Sequence, residues 1–153
     1  MQWVNEGDKI AIGCDHGGYE LAAVIEAHLR GAGYTVLRFG CTDGTAVDYP
    51  GVAAEVCRQI TGGAAKCGIL VCGTGIGMSM AANKVKGIRA AACSETFSTR
   101  YTRLHNDANV LCLGGRVLGP GAALEMVDLF LHTPFEGGRH QRRVDAVMAI
   151  EEE

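Results

Sequence analysis

Five short runs dominated by apolar residues punctuate this chain: Lys9–Cys14 (KIAIGC), Tyr34–Phe39 (YTVLRF), Cys67–Cys72 (CGILVC), Ile88–Cys93 (IRAAAC) and Asn109–Leu113 (NVLCL). Runs of this length without a polar face are strands buried on both sides, which places them in a parallel sheet covered by helices. The stretches between them are amphipathic. Leu21, Val24, Ile25 and Leu29 recur at helical spacing within Gly18–Arg30, and Val52, Val56 and Ile60 do so after Pro50. Further helices are expected near Met78–Lys84, Phe97–Leu104, Pro120–His132 and Gly138–Ile150. Gly31, Gly33, Gly62, Gly63 and Pro134 are stop signals. Strand and helix alternate throughout, so the expected architecture is a three-layer α/β/α sandwich on a five-stranded parallel, Rossmann-like sheet. One domain is expected to span residues 1–153.

The helix after Pro120 carries two apolar stripes: Leu124, Val127 and Leu131, and Ala123, Met126 and Phe130. A helix apolar on two faces is buried twice, so a dimer contact is expected there, with deeper burial within its own chain as the alternative.

Composition narrows the function classes. With 48% hydrophobic and 20% charged residues, the 153-residue chain is not a disordered segment. A net charge of −3 argues against nucleic acid and acidic membrane as partners. No apolar run approaches the ~20 residues of a membrane span, and the opening MQWVNEGDK lacks the apolar stretch of a signal peptide. The seven Cys form no Cys-x-x-Cys pair, and no two of the five His stand four apart. A disulfide framework or structural zinc site lacks its usual spacing, and scattered Cys in apolar runs read as reduced thiols of a cytoplasmic protein.

Ligands of open parallel sheets bind beyond the carboxyl ends of the strands. Asp15-His16-Gly17-Gly18, Cys72 with Gly73-Thr74-Gly75-Ile76-Gly77, Ser94-Glu95 and Gly114-Gly115-Arg116 follow four of the strands. Cys72 precedes three glycines in five residues and then a helix, a setting that aims backbone N–H groups at a bound oxygen and favours the thiolate. Equally, Cys72 fits as a small core residue, and Asp15 and His16 as turn and cap residues. The glycine loop imitates a dinucleotide fingerprint, with Glu95 where a ribose-binding acid would stand. Its third glycine is replaced by Met78 and it follows the third strand rather than the first, so NAD binding ranks low. His105 ends a helix, where a pocket role competes with a favourable helix-dipole contact. Arg139, His140, Arg142 and Arg143 crowd the start of the last helix, where cations are unfavourable without an anion; they form a phosphate clamp or a solvated face paired with acids such as Glu136. Glu151–Glu153 reads as a frayed, solvated end.

Taken together and in order, CDHGG, DYP, VCGTGIGMSMAANK, GIRAA, RLHNDANVL and GGRHQRRV resemble the type B ribose-5-phosphate isomerases and the related hexose-phosphate isomerases. The resemblance runs from about Ile10 to Ile150. It implies an aldose–ketose isomerase of pentose phosphate metabolism, with neither metal nor other cofactor, interconverting ribose 5-phosphate and ribulose 5-phosphate. It makes Cys72 the base, His105 the ring-opening residue, and Thr74 and Asn106 supports for ring opening and the enediolate. Gly73, Gly75, Ile76 and Gly77 would supply backbone donors, Asp15, His16 and Tyr49 would line the sugar pocket, and Arg116, Arg139 and Arg143 would bind phosphate. It also implies a homodimer, or a dimer of dimers, whose sites lie between subunits, with the His-Asn-Asp segment and an arginine coming from the partner. Some members use a glutamate just after the glycine loop instead of the cysteine; Met78 occupies that place here. Isomerisation of a six-carbon sugar phosphate and a non-catalytic sugar-phosphate-binding module are the competing readings.

Overall fold

The computed structural model describes residues 3–153. Its elements run β1 (Lys9–Cys14), α1 (Tyr19–Gly31), β2 (Thr35–Gly40), α2 (Tyr49–Thr61), β3 (Cys67–Cys72), α3 (Ile76–Ala82), β4 (Ala90–Ala92), α4 (Thr96–Asn106), β5 (Val110–Gly114), α5 (Pro120–His132), α6 (Arg139–Ala149) and a closing 3₁₀ turn (Ile150–Glu152). The strands form one parallel sheet in the order β2-β1-β3-β5-β4. This is the expected α/β/α sandwich.

Side chains of successive strand residues point to opposite faces and create two cores. Ile10, Ile12, Ile69, Val71, Leu111 and Leu113 pack against α1 and α5. Ala11, Leu70, Cys72, Val110 and Cys112 pack against α2 and α3. Each fully buried Ile or Leu contributes about 1.5–3 kcal/mol relative to an exposed one, before the entropy of ordering is subtracted. The strand order reverses between β1 and β3, and the crevice above their carboxyl ends is where such sheets take ligands.

Several sequence expectations change. Both stripes of α5 are filled within the chain: Ala123, Val127, Phe130 and Leu131 are completely buried, and Leu124 packs against the same core. The helix lies against α1 and α4, so its apolar pattern carries no argument for a subunit contact. Val24 is 38% exposed, leaving Leu21, Ala22, Ile25 and Leu29 as the buried face of α1. β4 contracts to three residues; before it, Arg89 N–H donates to the Asn109 side chain rather than to strand backbone, while its carbonyl accepts from Asn109 and Val110. α3 starts two residues early, directly after the left-handed turn at Gly75. The terminal acids are engaged rather than frayed: Gly87 N–H donates to Glu151, and Lys86 pairs with Glu152 at 3.4 Å.

Candidate active site

At the carboxyl ends of β1, β3 and β5 the loops are bonded to one another. Asp15 N–H donates to the Val71 carbonyl, Gly115 N–H to that of Cys72, and Arg116 N–H to that of Gly73. The Asp15 carboxylate accepts from Gly17 N–H at 2.9 Å and Gly18 N–H at 3.2 Å, so it shapes its own turn as well as facing the crevice. His16 is exposed beside it.

Cys72 closes β3 with its Sγ accepting the Gly75 N–H at 3.1 Å. The chain reaches that geometry because Gly75 adopts φ +81°, and a Cβ there would lie 2.9 Å from the Leu113 carbonyl carbon. Thr74 Oγ1 accepts from Ile76 N–H at 3.2 Å, which fixes the loop's tip. Gly77 is required for a different reason: the Tyr49 ring lies over it, 2.7 Å from where a Cβ would stand. The guanidinium of Arg116 reaches over Gly73, with Nη1 3.4 Å from a Cβ built there.

The other six thiols are also free; Cys41 Sγ accepts the Gly44 N–H at 3.1 Å and Cys14 Sγ accepts from Arg38 at 3.2 Å, but neither ends β3 at the glycine loop. Burial pushes Cys57 up to about 11 and Cys67 up to about 12. It also raises Cys14, Cys93 and, most strongly, Cys112.

The remaining predicted residues lie elsewhere. α4 runs back along the sheet from the end of β4, and its ten-residue rise carries His105 and Asn106 about 15 Å toward the amino ends of the strands. There the Asn106 carbonyl accepts from Arg89 Nε, immediately before β4. Two arginines hold the turn that follows. Asp107 takes a left-handed conformation (φ 48°), and its carboxylate meets Arg103 at 2.9 Å and Arg89 at 3.4 Å. Arg103 is wholly buried, stacked 3.5 Å from the Trp3 ring centre and donating to the Ala108 and Thr133 carbonyls. The Arg103–Asp107 spacing of four was the available sequence signal for this clamp.

His105 stacks on His140, ring centres 3.9 Å apart, with Tyr101 edge-on at 4.9 Å. Glu136 approaches both imidazoles, at 3.6 Å and 4.0 Å, instead of pairing with the arginines. His140 is buried, its Nε2 without a hydrogen-bond partner. Burial, then the neighbouring His105 and Arg139, hold its imidazole below the usual range. Thirty-five positions separate the two histidines, so nothing in the sequence paired them. Among the described residues, His105, Glu136 and His140 present ligand atoms within 4.8 Å of one another and could hold a metal ion. Arg139 and Arg143 are exposed on α6, and Arg143 joins His105 and Asn106 along a groove of about 870 Å³ floored by Ile88, Val144 and Val147.

The predicted residues therefore fall into two groups. Cys72, Gly73–Gly77, Asp15, His16, Tyr49 and Arg116 share one end of the sheet; His105, Asn106, Arg139 and Arg143 share the other. Glu95 belongs to neither as a ribose ligand: its carboxylate accepts Ser98 N–H at 3.0 Å as the cap of α4. That removes the one favourable point of the dinucleotide reading.

Residues 10–147 match the model of the Ribose/Galactose Isomerase family. The chain belongs to this family. Ribose-5-phosphate isomerase B of Escherichia coli is 49% identical over 144 residues, spanning 94% of this chain and 97% of that protein. Among solved structures, ribose-5-phosphate isomerase B of Clostridium thermocellum aligns with a TM-score of 0.93 at 48% identity, covering 94% of this chain and 97% of the other. The Mycoplasma genitalium enzyme, solved with bound ribulose 5-phosphate, aligns at 0.91 and 41% identity, covering 95% and 97%. The relatives named here are isomerases, and the chain is an isomerase by family. No helix among the described residues is long and apolar enough to cross a membrane.

Proposed function

We propose that this chain interconverts D-ribose 5-phosphate and D-ribulose 5-phosphate by proton transfer through Cys72, as one isomerase domain acting in a cytoplasmic homodimer. The observation that carries the reading is the Cys72 sulfur, seated on the Gly75 amide in the crevice of the strand-order reversal. Near full-length identity of 49% to a ribose-5-phosphate isomerase B supports the substrate.

The substrate rests as a furanose, so the ring opens first. His105 accepts the anomeric O1 proton and returns one to the ring oxygen O4. The Cys72 thiolate then takes the C2 proton. The electron pair left behind forms the C1–C2 double bond and the carbonyl π electrons move onto O1, giving a cis-enediolate. Backbone amides of Gly73–Gly77 face that charge, and a preorganised donor of this kind is typically worth about 3 kcal/mol. Cys72 returns its proton to C1 as a hydroxyl proton passes from O2 to O1. Thr74 and Asn106 support these steps, Asp15, His16 and Tyr49 line the sugar, and Arg116, Arg139 and Arg143 hold the phosphate remote from the reacting carbons.

His105 and Cys72 stand about 15 Å apart along the sheet, so one chain does not complete this site. In the proposed dimer each site takes Cys72 from one subunit and His105 from the other. The test is an assay in chelator, without nicotinamide, comparing ribose 5-phosphate with allose and galactose 6-phosphates. Turnover of the pentose phosphate, abolished in Cys72→Ala with sugar-phosphate binding retained, is expected. Faster turnover of a hexose phosphate would transfer the assignment to the six-carbon reading. Binding without turnover would reduce the protein to a binding module.

A further inference from the structure

We infer that His105, Glu136 and His140 form a binding site for a divalent d-block cation such as Zn²⁺, and that occupancy shuts the enzyme off. The inhibitory consequence rests on the role proposed for His105; the binding itself does not.

Two imidazoles and one carboxylate lie within 4.8 Å of one another. Nitrogen and oxygen ligands of zinc stand about 2.0–2.2 Å from the ion, so tetrahedral partners are separated by roughly 3.4 Å. The Glu136 oxygen already stands 3.6 Å from His105 Nε2 and 4.0 Å from His140 Nε2. The independent sign is His140: 4% exposed, with an Nε2 that has no hydrogen-bond partner and points toward the same carboxylate. A buried ring nitrogen in that state lacks a ligand or a proton acceptor.

One adjustment is needed. The rings are stacked 12° from parallel, and an ion cannot lie in both ring planes at once. His105, with its side chain one-third exposed, turns about its Cβ–Cγ bond to meet the ion. Imidazole-carboxylate sets select Zn²⁺, Co²⁺ or Ni²⁺ over Mg²⁺ and Ca²⁺. Arg139 and Arg143 oppose a cation here, but both are exposed and screened by solvent, whereas Glu136 is in direct reach. An ion on His105 Nε2 occupies the lone pair that ring opening uses.

Co²⁺ reports the site directly. The metal-free dimer is titrated with Co²⁺ alone, for the wild type, Glu136→Gln and Cys72→Ala, and Zn²⁺ is then added to isomerase assays. One Co²⁺ per chain is expected, with d–d bands and no thiolate charge-transfer absorption. Affinity should fall at least about tenfold in Glu136→Gln and stay unchanged in Cys72→Ala. Glu136→Gln should isomerise normally yet resist Zn²⁺. Absence of stoichiometric binding, undiminished binding in Glu136→Gln, or binding lost with Cys72 would overturn the site. Co²⁺ binding by a protein that fails to isomerise would instead sink the isomerase reading and leave the site standing.

Discussion

Cys72 and His105 lie at opposite ends of one sheet: the first closes β3 opposite Gly114, the second ends α4 beside the start of β4. A parallel sheet forces this. Every strand delivers its following loop to one end, and every helix returns the chain to the other. Under the proposed function the two groups meet on one sugar only when a second copy presents its opposite end.

The clamp that fixes His105 and Asn106 should be costly to break. Arg103→Met leaves the Asp107 carboxylate and the carbonyls of Ala108 and Thr133 without their buried partner. Asp107, one-third exposed, keeps Arg89, and each hydrogen bond lost from the charged donor costs about 1.5–3 kcal/mol. Denaturant unfolding should show that loss, and turnover of cyclic substrate should fall further than turnover of an open-chain analogue.

Gly75→Ala should cost both stability and rate. The residue sits at φ +81° with Leu113 backbone 2.9–3.0 Å from the new methyl. Left-handed strain adds about 1–2 kcal/mol and overpacking about 1–3 kcal/mol. The amide facing Cys72 moves with it, so kcat should drop. Gly121→Ala is the control: nothing lies within 4 Å, it is inside α5, and a gain of about 0.4–1 kcal/mol is expected. Thermal melts and initial rates distinguish the two.

Stability should fall on the alkaline side. Cys57 and Cys67 ionise in the folded chain at about 11 and about 12, against 9.0 when unfolded. Their contribution is intact below pH 9, because both states hold the proton. Above it the unfolded chain loses protons that the folded chain keeps, so unfolding is favoured by up to about 1.4 kcal/mol per pH unit for each thiol. The decline continues until the folded thiols ionise in turn. Melting curves from pH 8 to 11 should show it, with a shallower slope in Cys57→Ala.

Replacing Arg139 and Arg143 together by Ala should raise KM strongly while kcat changes less, because the clamp grips the phosphate in ground and transition states alike. Inorganic phosphate should also lose potency as a competitive inhibitor. Unchanged inhibition would place the phosphate elsewhere.

The strands were legible because burial on both faces leaves an unbroken apolar run, and β1 and β3 fall on their predicted residues. The carboxyl-end loops were legible too, since strand order is not needed to know that they share one rim. α5 misled: two apolar stripes state that a helix is covered twice, but not by whose atoms. The pairing of His105 with His140 and Glu136 was invisible, because it depends on how α6 folds back against α4. Glu95 looked like a ribose ligand in sequence, yet its backbone neighbour Ser98 claims the carboxylate.

The most direct measurement mixes two inactive variants. Cys72→Ala and His105→Asn are each purified, then unfolded and refolded together, and ribose 5-phosphate turnover is followed. Random pairing makes half the dimers mixed, each with one site carrying both native residues, so about a quarter of wild-type activity should return. A mixture as inactive as its parents, although mixed dimers have formed, would contradict a site built from two chains.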